Sequence, residues 1–152
     1  MSEELLLEAG RPEDLAELLA LERASYSHPW SDASLREAVT NRRRYCTLVL
    51  RGAGDRRARA YCIGQHVADE LHVHNVAVAK PLRRRGLARR LLERLLADGR
   101  SAGLRVALLE VRESNLAARG LYEALGFEEV GHRRGYYAAP VEDALLLRKA
   151  LS

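Results

Sequence analysis

The stretch that most constrains the fold of this chain is residues 71–97, which alternate first at strand spacing and then at helix spacing. Residues 71–78 alternate and are rich in valine, which predicts a β-strand. Pro81 ends that strand, because proline has no N–H to donate to a sheet. After Gly86, leucines recur at helical spacing and predict an amphipathic helix. A further apolar strand at 104–111 then requires a parallel, right-handed crossover connection.

The turn between this strand and this helix has the features of a phosphate site. A helix N-terminus presents unpaired backbone N–H groups and the positive end of the helix dipole, and Arg83, Arg84 and Arg85 add charge beside it. The nucleotide motifs GxxxxGKS/T and full GxGxxG are both absent. The turn reads Arg83-x-x-Gly86-x-Ala88, and it predicts a phosphate or pyrophosphate group at the start of the helix.

Length and composition indicate one globular domain, residues 1–152. Hydrophobic residues make up 47% of the chain, enough for a sizeable core. The net charge of +4 suits an anionic ligand or a ribosomal surface, although solvated basic faces explain it equally well. No apolar run is long enough for a membrane span or a signal peptide, so we expect a cytoplasmic protein. Cys46 and Cys62 lie in apolar strand-like stretches and are expected to be buried free thiols.

The remaining pattern predicts an α/β protein with a mixed sheet and helices on both of its faces. Three successive strands joined by short turns indicate an antiparallel meander. Parallel strand ends beside a helix N-terminus are where α/β proteins bind ligands. The predicted strands are residues 5–9, 45–50, 58–67, 71–78, 104–111, 127–130 and 144–147, and the predicted helices are 11–26, 34–40 after an N-cap at Ser31, 86–99, and a helix that begins at Ser114 or Asn115 and ends at Gly126.

A second group of polar residues lies in residues 109–130. Glu110 stands one residue before the end of an apolar strand, where an unpaired buried carboxylate would be costly. It is either a functional group or the partner of a neighbouring arginine such as Arg112. Asn115 stands at a helix start, where capping is a sufficient explanation. Tyr122 lies beside leucines on that helix, as a core tyrosine would.

Residues 114–131, SNLAARGLYEALGFEEVG, resemble the N-x-x-A-x-x-L-Y-x-x-x-G-F segment of the GNAT N-acetyltransferases. The basic turn is similar to the Q/R-x-x-G-x-G/A loop with which that family holds the pyrophosphate of acetyl-coenzyme A. With LLEVRESN, HPWS at 28–31, RRGYY and EDALLL, the resemblance covers residues 24–147. Within the family, the chain resembles the bacterial ribosomal-protein-alanine N-acetyltransferases. It implies the GNAT fold, with a central mixed, mostly antiparallel sheet. Ala88 replaces a frequent glycine, and arginines at 83 and 85 replace frequent glutamines.

The resemblance also implies which residues form the site. Glu110 matches the general base, and Tyr122 matches the general acid that protonates the departing sulfur. Transfer is then direct, in a ternary complex, so the two cysteines are not nucleophiles. No metal is implied, because His72 and His74 share a strand face without a third ligand. The implied acetyl-coenzyme A contacts are Val76, Ala77, Val78, Arg83, Arg84, Arg85, Gly86, Leu87, Ala88 and Asn115.

The implied acceptor is the N-terminal alanine of a small-subunit ribosomal protein. The expected enzyme is a monomer that reads no nucleic acid and binds no membrane. Other protein N-termini, a lysine side chain or a small-molecule amine are alternative acceptors. A basic module that binds the ribosome or RNA without catalysis is an alternative of another class. Trp30, Tyr136 and Tyr137 fall in two predicted loops, which the resemblance assigns to the acceptor-peptide end.

Overall fold

One seven-stranded sheet, in the order β1-β2-β3-β4-β5-β7-β6, organises the computed structural model, which describes residues 3–138 and 140–152. Within the described residues, β4 and β5 are the parallel neighbours, and the other pairs are antiparallel. The predicted meander and the parallel pairing across the 71–111 connection are therefore confirmed. The strands are β1 (Leu5–Ala9), β2 (Tyr45–Gly52), β3 (Ala58–Val67), β4 (Glu70–Val78), β5 (Val106–Arg112), β6 (Glu128–Tyr137) and β7 (Glu142–Ala150), and the helices are α1 (Leu15–Ser25), α2 (Asp32–Thr40), α3 (Leu87–Ser101) and α4 (Leu116–Ala124).

Alternate side chains of the central strands build one core on each face of the sheet. In β3, Ala60 and Cys62 pack with the leucines of α3, whereas Tyr61 and Ile63 pack with α1 and α2. This alternation follows from the two-residue period of a strand, and it confirms the predicted helices on both faces. Each leucine that is fully buried in this way contributes roughly 1.5–3 kcal/mol. No helix in residues 3–138 or 140–152 is long and apolar enough to span a membrane.

The helix boundaries follow local capping chemistry. Ser31 Oγ accepts a hydrogen bond from Ser34 N–H at 3.1 Å and begins α2. Asn115 Oδ1 accepts one from Ala118 N–H at 3.2 Å and begins α4. Satisfying an N–H of the first turn in this way is the usual reason for serine or asparagine at a helix start. Gly126, with φ +95°, follows the end of α4 in the left-handed conformation that favours glycine there.

Several predicted boundaries shift by a few residues, and two of the differences have a clear tertiary reason. Helix α3 continues through Gly99, where a Cβ would lie 3.1 Å from a Leu71 methyl; this glycine allows close packing of the helix on the sheet. The predicted loop at 135–137 belongs to β6, which pairs with β7 as far as Tyr137 and Glu142. Most of β6 is exposed and polar, so no apolar alternation marks it as a strand.

The parallel strands β4 and β5 separate soon after they begin. They pair only at Glu70 with Val106, Leu71 with Ala107 and His72 with Leu108. Beyond that point β5 continues to pair with β7 as far as Arg112, and a register shift next to β3 leaves His74 as an extra residue in β4. The result is an opening between residues 75–78 of β4 and 109–112 of β5, which we call the β4–β5 gap. It lies at the carboxyl ends of parallel strands, where α/β proteins bind ligands.

Candidate active site

One edge of β4 in the β4–β5 gap makes its hydrogen bonds to side chains instead of a strand. The Tyr26 hydroxyl donates to Val76 O at 2.8 Å, and Val76 N–H donates to the same hydroxyl at 3.0 Å. Arg83 Nε donates to Val78 O at 3.1 Å. Tyr26 follows α1 directly, and burial raises the pKa of this tyrosine to about 12. The strand edge that carries Val76 and Val78 is therefore available to an extended ligand once these side chains move.

The turn after β4 leads into an uncapped helix N-terminus. Arg84 and Gly86 have left-handed φ angles of +65° and +75°, and Gly86 gives α3 no side-chain cap. In the described part of the chain, the first backbone bond at this helix start runs from Arg90 N–H to Gly86 O. A Cβ at Gly86 would meet no atom within 4 Å. Free N–H groups, the helix dipole and open space together suit a pyrophosphate group.

The three arginines of this turn differ in their surroundings. Arg83 points back to the sheet, where its guanidinium also approaches Ser25 Oγ at 3.4 Å. Arg84 and Arg85 are exposed. Among residues 3–138 and 140–152, neither of them forms an ion pair. Their charges are therefore free to attract an anion at the helix N-terminus.

Glu110 extends from β5 and is half-buried, with 31% of its side chain exposed. Its cationic neighbour is Arg133 on β6, at 3.5 Å. Arg112, the example given for an arginine partner, pairs instead with Glu142 at 3.3 Å, so the arginine next to Glu110 is Arg133. Interaction with the Glu110 carboxylate also raises the pKa of Tyr136.

Tyr122 on α4 has a buried ring and a hydroxyl without a hydrogen-bond partner among the described residues. The ring packs edge-on against Phe127, with centroids 5.7 Å apart, and the residue is 7% exposed. The hydroxyl makes no hydrogen bond to any residue that the structure describes. Burial raises the pKa of Tyr122 above its ordinary value, and the neighbouring Tyr26 and Tyr137 add to this effect. At neutral pH the hydroxyl is therefore protonated and can donate a proton.

A cavity of about 400 Å³ lies next to these groups. One wall is the link between α1 and α2, and the other is the end of β6. Tyr136 and Tyr137 therefore lie together, on a strand and not in a loop. Trp30 lies elsewhere, since its ring packs against Tyr45 and His74. The cavity is lined by Tyr26, Ser27, His28, Arg112, Tyr136, Tyr137 and Ala138.

A buried carboxylate, Glu22, fixes the α1–α2 link and was not among the predicted site residues. Glu22 is fully buried and accepts hydrogen bonds from Trp30 N–H at 2.8 Å, from the Asn75 side chain at 2.8 Å and from the Tyr61 hydroxyl. Leu15, Leu18 and Glu22 share one helix face. Helical spacing predicts an apolar, core-facing residue at position 22, so a glutamate at this position is the sequence signal for a buried carboxylate.

His72 and His74 contact other polar side chains, whereas Cys46 and Cys62 are buried to different degrees. His72 bonds to Glu70 at 2.9 Å, and His74 contacts the Gln65 amide at 2.6 Å. Burial raises the pKa of Cys46 to about 11, although this thiol is only half-buried, and it also raises the pKa of the fully buried Cys62. In the described residues, one potential metal-ligand group is formed by Glu113, His132 and Asp143.

Comparison with known proteins identifies the family to which this site belongs. Residues 15–127 match the sequence model of the acetyltransferase (GNAT) family. This chain belongs to the GNAT acetyltransferase family. A GNAT relative from Salmonella typhimurium, named ribosomal protein bS18-alanine N-acetyltransferase, is 39% identical over 141 residues, which cover 91% of this chain and 93% of the relative.

Solved GNAT structures agree with this assignment. The crystal structure of the ribosomal-protein alanine N-acetyltransferase from Escherichia coli has a TM-score of 0.89 and 34% identity, covering 98% of this chain and 95% of that one. Arabidopsis thaliana NAA60 in complex with acetyl-CoA has a TM-score of 0.86, covering 97% and 98%. At 16% identity, this second likeness concerns the fold alone. The predicted family and fold class are therefore confirmed.

Proposed function

We propose that this GNAT protein is an acetyl-coenzyme A-dependent Nα-acetyltransferase that acetylates the N-terminal alanine of a small-subunit ribosomal protein. The observation that carries the proposal is the β4–β5 gap, which has the uncapped start of α3 at one end and contains the Glu110 carboxylate. Relatives at 39% and 37% identity carry this activity in their names. Residues 1–152 act as one domain and as a monomer. A ribosomal-protein acceptor implies a reaction in the cytoplasm.

The donor binds along β4 and across the turn that follows it. Backbone groups of Val76, Ala77 and Val78 pair with the acetyl-pantetheine arm as an added strand would. The N–H groups from Gly86 to Ala88 hold the pyrophosphate, together with Arg84 and Arg85. Arg83, whose Nε donates to Val78 O in the free enzyme, leaves that carbonyl when the arm binds and adds its charge beside the pyrophosphate. Asn115 contacts the cofactor from the start of α4.

The chain supplies a base, an acid and a hydrogen-bond donor for acyl transfer. Glu110, acting through water, takes one proton from the acceptor ammonium, because only a neutral amine can attack the thioester carbonyl. The second N–H proton passes to water as the C–N bond forms. A backbone N–H at the β4 edge stabilises the negative charge that develops on the carbonyl oxygen. The new C–N bond forms as the C–S bond breaks, and Tyr122 gives one proton to the departing sulfur. Arg133, 3.5 Å from Glu110, holds that carboxylate in position.

The acceptor N-terminus enters through the cavity between the α1–α2 link and the end of β6. Glu110 is the carboxylate next to Tyr136 at this end of the site, and it attracts the cationic α-amino group. Arg112, stacked 4.2 Å over Tyr137 and paired with Glu142, keeps the cavity wall in place.

Two measurements test this function. Mass spectrometry of protein N-termini should find a ribosomal-protein alanine that is acetylated in cells with this protein and free in cells without it. The purified protein should acetylate an alanine-starting peptide, but not the same peptide with a blocked N-terminus and a free lysine. Transfer only to lysine or to a small amine would replace the proposed acceptor. Salt-dependent RNA binding without any use of acetyl-coenzyme A would reject the enzyme altogether.

A further inference from the structure

A single hydroxyl occupies the β4 edge at the centre of the proposed donor site. The Tyr26 oxygen donates to Val76 O at 2.8 Å and accepts from Val76 N–H at 3.0 Å. These are the two groups that a neighbouring strand would pair with in a continuous sheet. Tyr26 thus takes the place of a strand where β5 has diverged from β4. It satisfies backbone groups that would otherwise be costly to leave unpaired in a half-buried position.

The surroundings of Tyr26 hold the hydroxyl at this place. The Tyr26 N–H donates to Glu22 O at 3.0 Å at the end of α1. The Glu22 carboxylate joins the Trp30 N–H of the α1–α2 link to the side chain of Asn75, the residue before Val76. Tyr26 is also protonated at neutral pH, because burial raises its pKa to about 12. The hydroxyl therefore acts as donor and acceptor at the same time.

The direction of the strand decides which part of the donor meets Val76. Strand β4 ends at Val78 and leads into the turn that carries Gly86 at the start of α3. An arm whose pyrophosphate lies at that helix start passes Val78 first. Its thioester end, which is farthest from the pyrophosphate, then reaches Val76. Val76 has one N–H, so the Tyr26 hydroxyl and a thioester carbonyl compete for the same hydrogen.

We propose that Tyr26 is a placeholder for the acyl carbonyl: its hydroxyl occupies Val76 in the free enzyme and leaves when the thioester oxygen accepts the Val76 N–H. The inference rests on the proposed function and adds a positioning residue to it. Tyr26 gives up two hydrogen bonds on donor binding. The binding of acetyl-coenzyme A is thereby coupled to the α1–α2 link, which forms one wall of the acceptor cavity.

Backbone NMR of the Val76 amide tests the placeholder directly in wild type and Tyr26→Phe. Without ligand, the Val76 amide shifts should differ between the two proteins, because only wild type has the phenol as acceptor. With saturating acetyl-coenzyme A the two shifts should coincide, since Tyr26 no longer contacts Val76. Coenzyme A without the acetyl group should leave the difference in place. Tyr45→Phe, in the core that packs against α1 and α2, is the matched control. Its Val76 amide shift should equal that of wild type without ligand, with coenzyme A and with acetyl-coenzyme A.

Affinity gives a second measurement. Removing the competing hydroxyl should tighten acetyl-coenzyme A binding to Tyr26→Phe by roughly threefold to tenfold, as the net value of one lost hydrogen bond suggests. A persistent Val76 difference in the complex, or binding that is unchanged or weaker in Tyr26→Phe, would overturn the placeholder.

If Tyr26→Phe does not fold, NMR of wild-type protein with ¹³C-labelled tyrosine rings tests the same inference without a variant. The Tyr26 Cζ resonance should move on addition of acetyl-coenzyme A and remain in place with coenzyme A. An unmoved Tyr26 resonance in a saturated complex contradicts the inference alone. A protein whose spectrum does not respond to acetyl-coenzyme A at any residue contradicts the proposed function instead.

Discussion

At the scale of single residues, Glu110 and Tyr122 carry the proposed chemistry in opposite environments. Glu110 is partly exposed beside the guanidinium of Arg133, so its carboxylate is accessible to water and to an acceptor amine. Tyr122 has a buried ring and a raised pKa, which favours the protonated phenol. The proposed mechanism assigns proton acceptance to the accessible Glu110 and proton donation to the buried Tyr122. Such divergent environments are typical of acid and base pairs in enzymes.

Replacing Glu110 with glutamine should change the pH dependence of the reaction. The Glu110→Gln variant keeps the shape and loses the basicity, so kcat/KM should fall near neutrality. It should recover partly towards and above pH ~8, where the α-amino group is already neutral. Wild type should lose activity only on the acid side. Profiles of kcat/KM against pH on an alanine-starting peptide measure this.

The exposed Glu113→Gln, three residues further along the chain, is the matched control and should keep the wild-type profile. Parallel profiles of wild type and Glu110→Gln, offset by a constant, would leave Glu110 as a structural carboxylate. Melting curves of all three proteins separate that case from a loss of folding.

Replacing Tyr122 with phenylalanine should slow the chemical step and spare binding. The ring keeps its contact with Phe127, and only the hydroxyl is removed. We expect kcat to fall roughly tenfold to a thousandfold, the range for a lost proton donor, while the Kd for acetyl-coenzyme A changes little. Steady-state kinetics and calorimetry provide the two values. Full activity in Tyr122→Phe would make this tyrosine a core residue without a catalytic role.

At the scale of elements, the two ends of α3 offer a controlled comparison. Gly86 precedes the helix with φ +75°, and Gly103 follows it with φ +85°. A Cβ at either position would meet no atom within 4 Å. A side chain at either glycine therefore has the same backbone strain, of roughly 1–2 kcal/mol. Only the Gly86 end faces the proposed pyrophosphate site.

Gly86→Val should therefore abolish donor binding, whereas Gly103→Val should not. Both variants should melt at similarly reduced temperatures, because the cost of a left-handed valine is local. Calorimetric titration with acetyl-coenzyme A should find no binding to Gly86→Val and near wild-type affinity for Gly103→Val. Unchanged affinity in a folded Gly86→Val protein would contradict the assignment of this turn to the pyrophosphate.

At the scale of the whole molecule, a buried ion pair fixes the N-terminal helices to the sheet. Both Arg51 and Asp14 are 4% exposed, and two guanidinium nitrogens of Arg51 contact the two Asp14 oxygens at 2.8 Å. Arg51 lies in β2, and Asp14 ends the 3₁₀ turn before α1. Burial opposes the charge on Asp14, but the hydrogen bonds from Arg51 and the Arg11 N–H outweigh it and lower the pKa of this carboxyl.

Asp14→Asn should destabilise the protein by about 3 kcal/mol at pH 7, the low end for a broken buried ion pair. It removes the carboxylate that binds two nitrogens of the buried Arg51 guanidinium and leaves Glu8, 2.9 Å from Arg51 Nε, as the remaining anionic partner. A lowered pKa in the folded state means that the ionised Asp14 stabilises the protein above its unfolded pKa of about 3.9. That stability is lost as the pH falls through the folded pKa. The difference between wild type and Asp14→Asn should therefore shrink between pH 5 and pH ~2.

Urea unfolding across that range measures the free energies. Asp32→Asn removes an exposed ion pair with Arg36 and should cost less than about 1 kcal/mol. An equal effect of Asp14→Asn at every pH would mean that the ionised pair does not contribute to the pH dependence.

Local patterns in the sequence determined most of the fold and the outline of the site. The strand, basic turn and helix of residues 71–97, the caps at Ser31 and Asn115, and the two-sided core all follow from periodicity and capping over short segments. The GNAT resemblance followed from residues that stand close together in the chain. The side-chain roles proposed for Glu110 and Tyr122 stay predictions.

Only the tertiary structure decided how distant segments meet at the gap. Tyr26 bonds to Val76, which is 50 positions away, and Glu110 pairs with Arg133 on β6 instead of the nearby Arg112. Tyr136 and Tyr137 belong to a strand that is polar and largely exposed, and Trp30 lies away from the cavity. Each outcome depends on strand register, on the extra residue in β4 and on the divergence of β4 from β5. These are properties of strand pairing between remote segments, so no local periodicity encodes them.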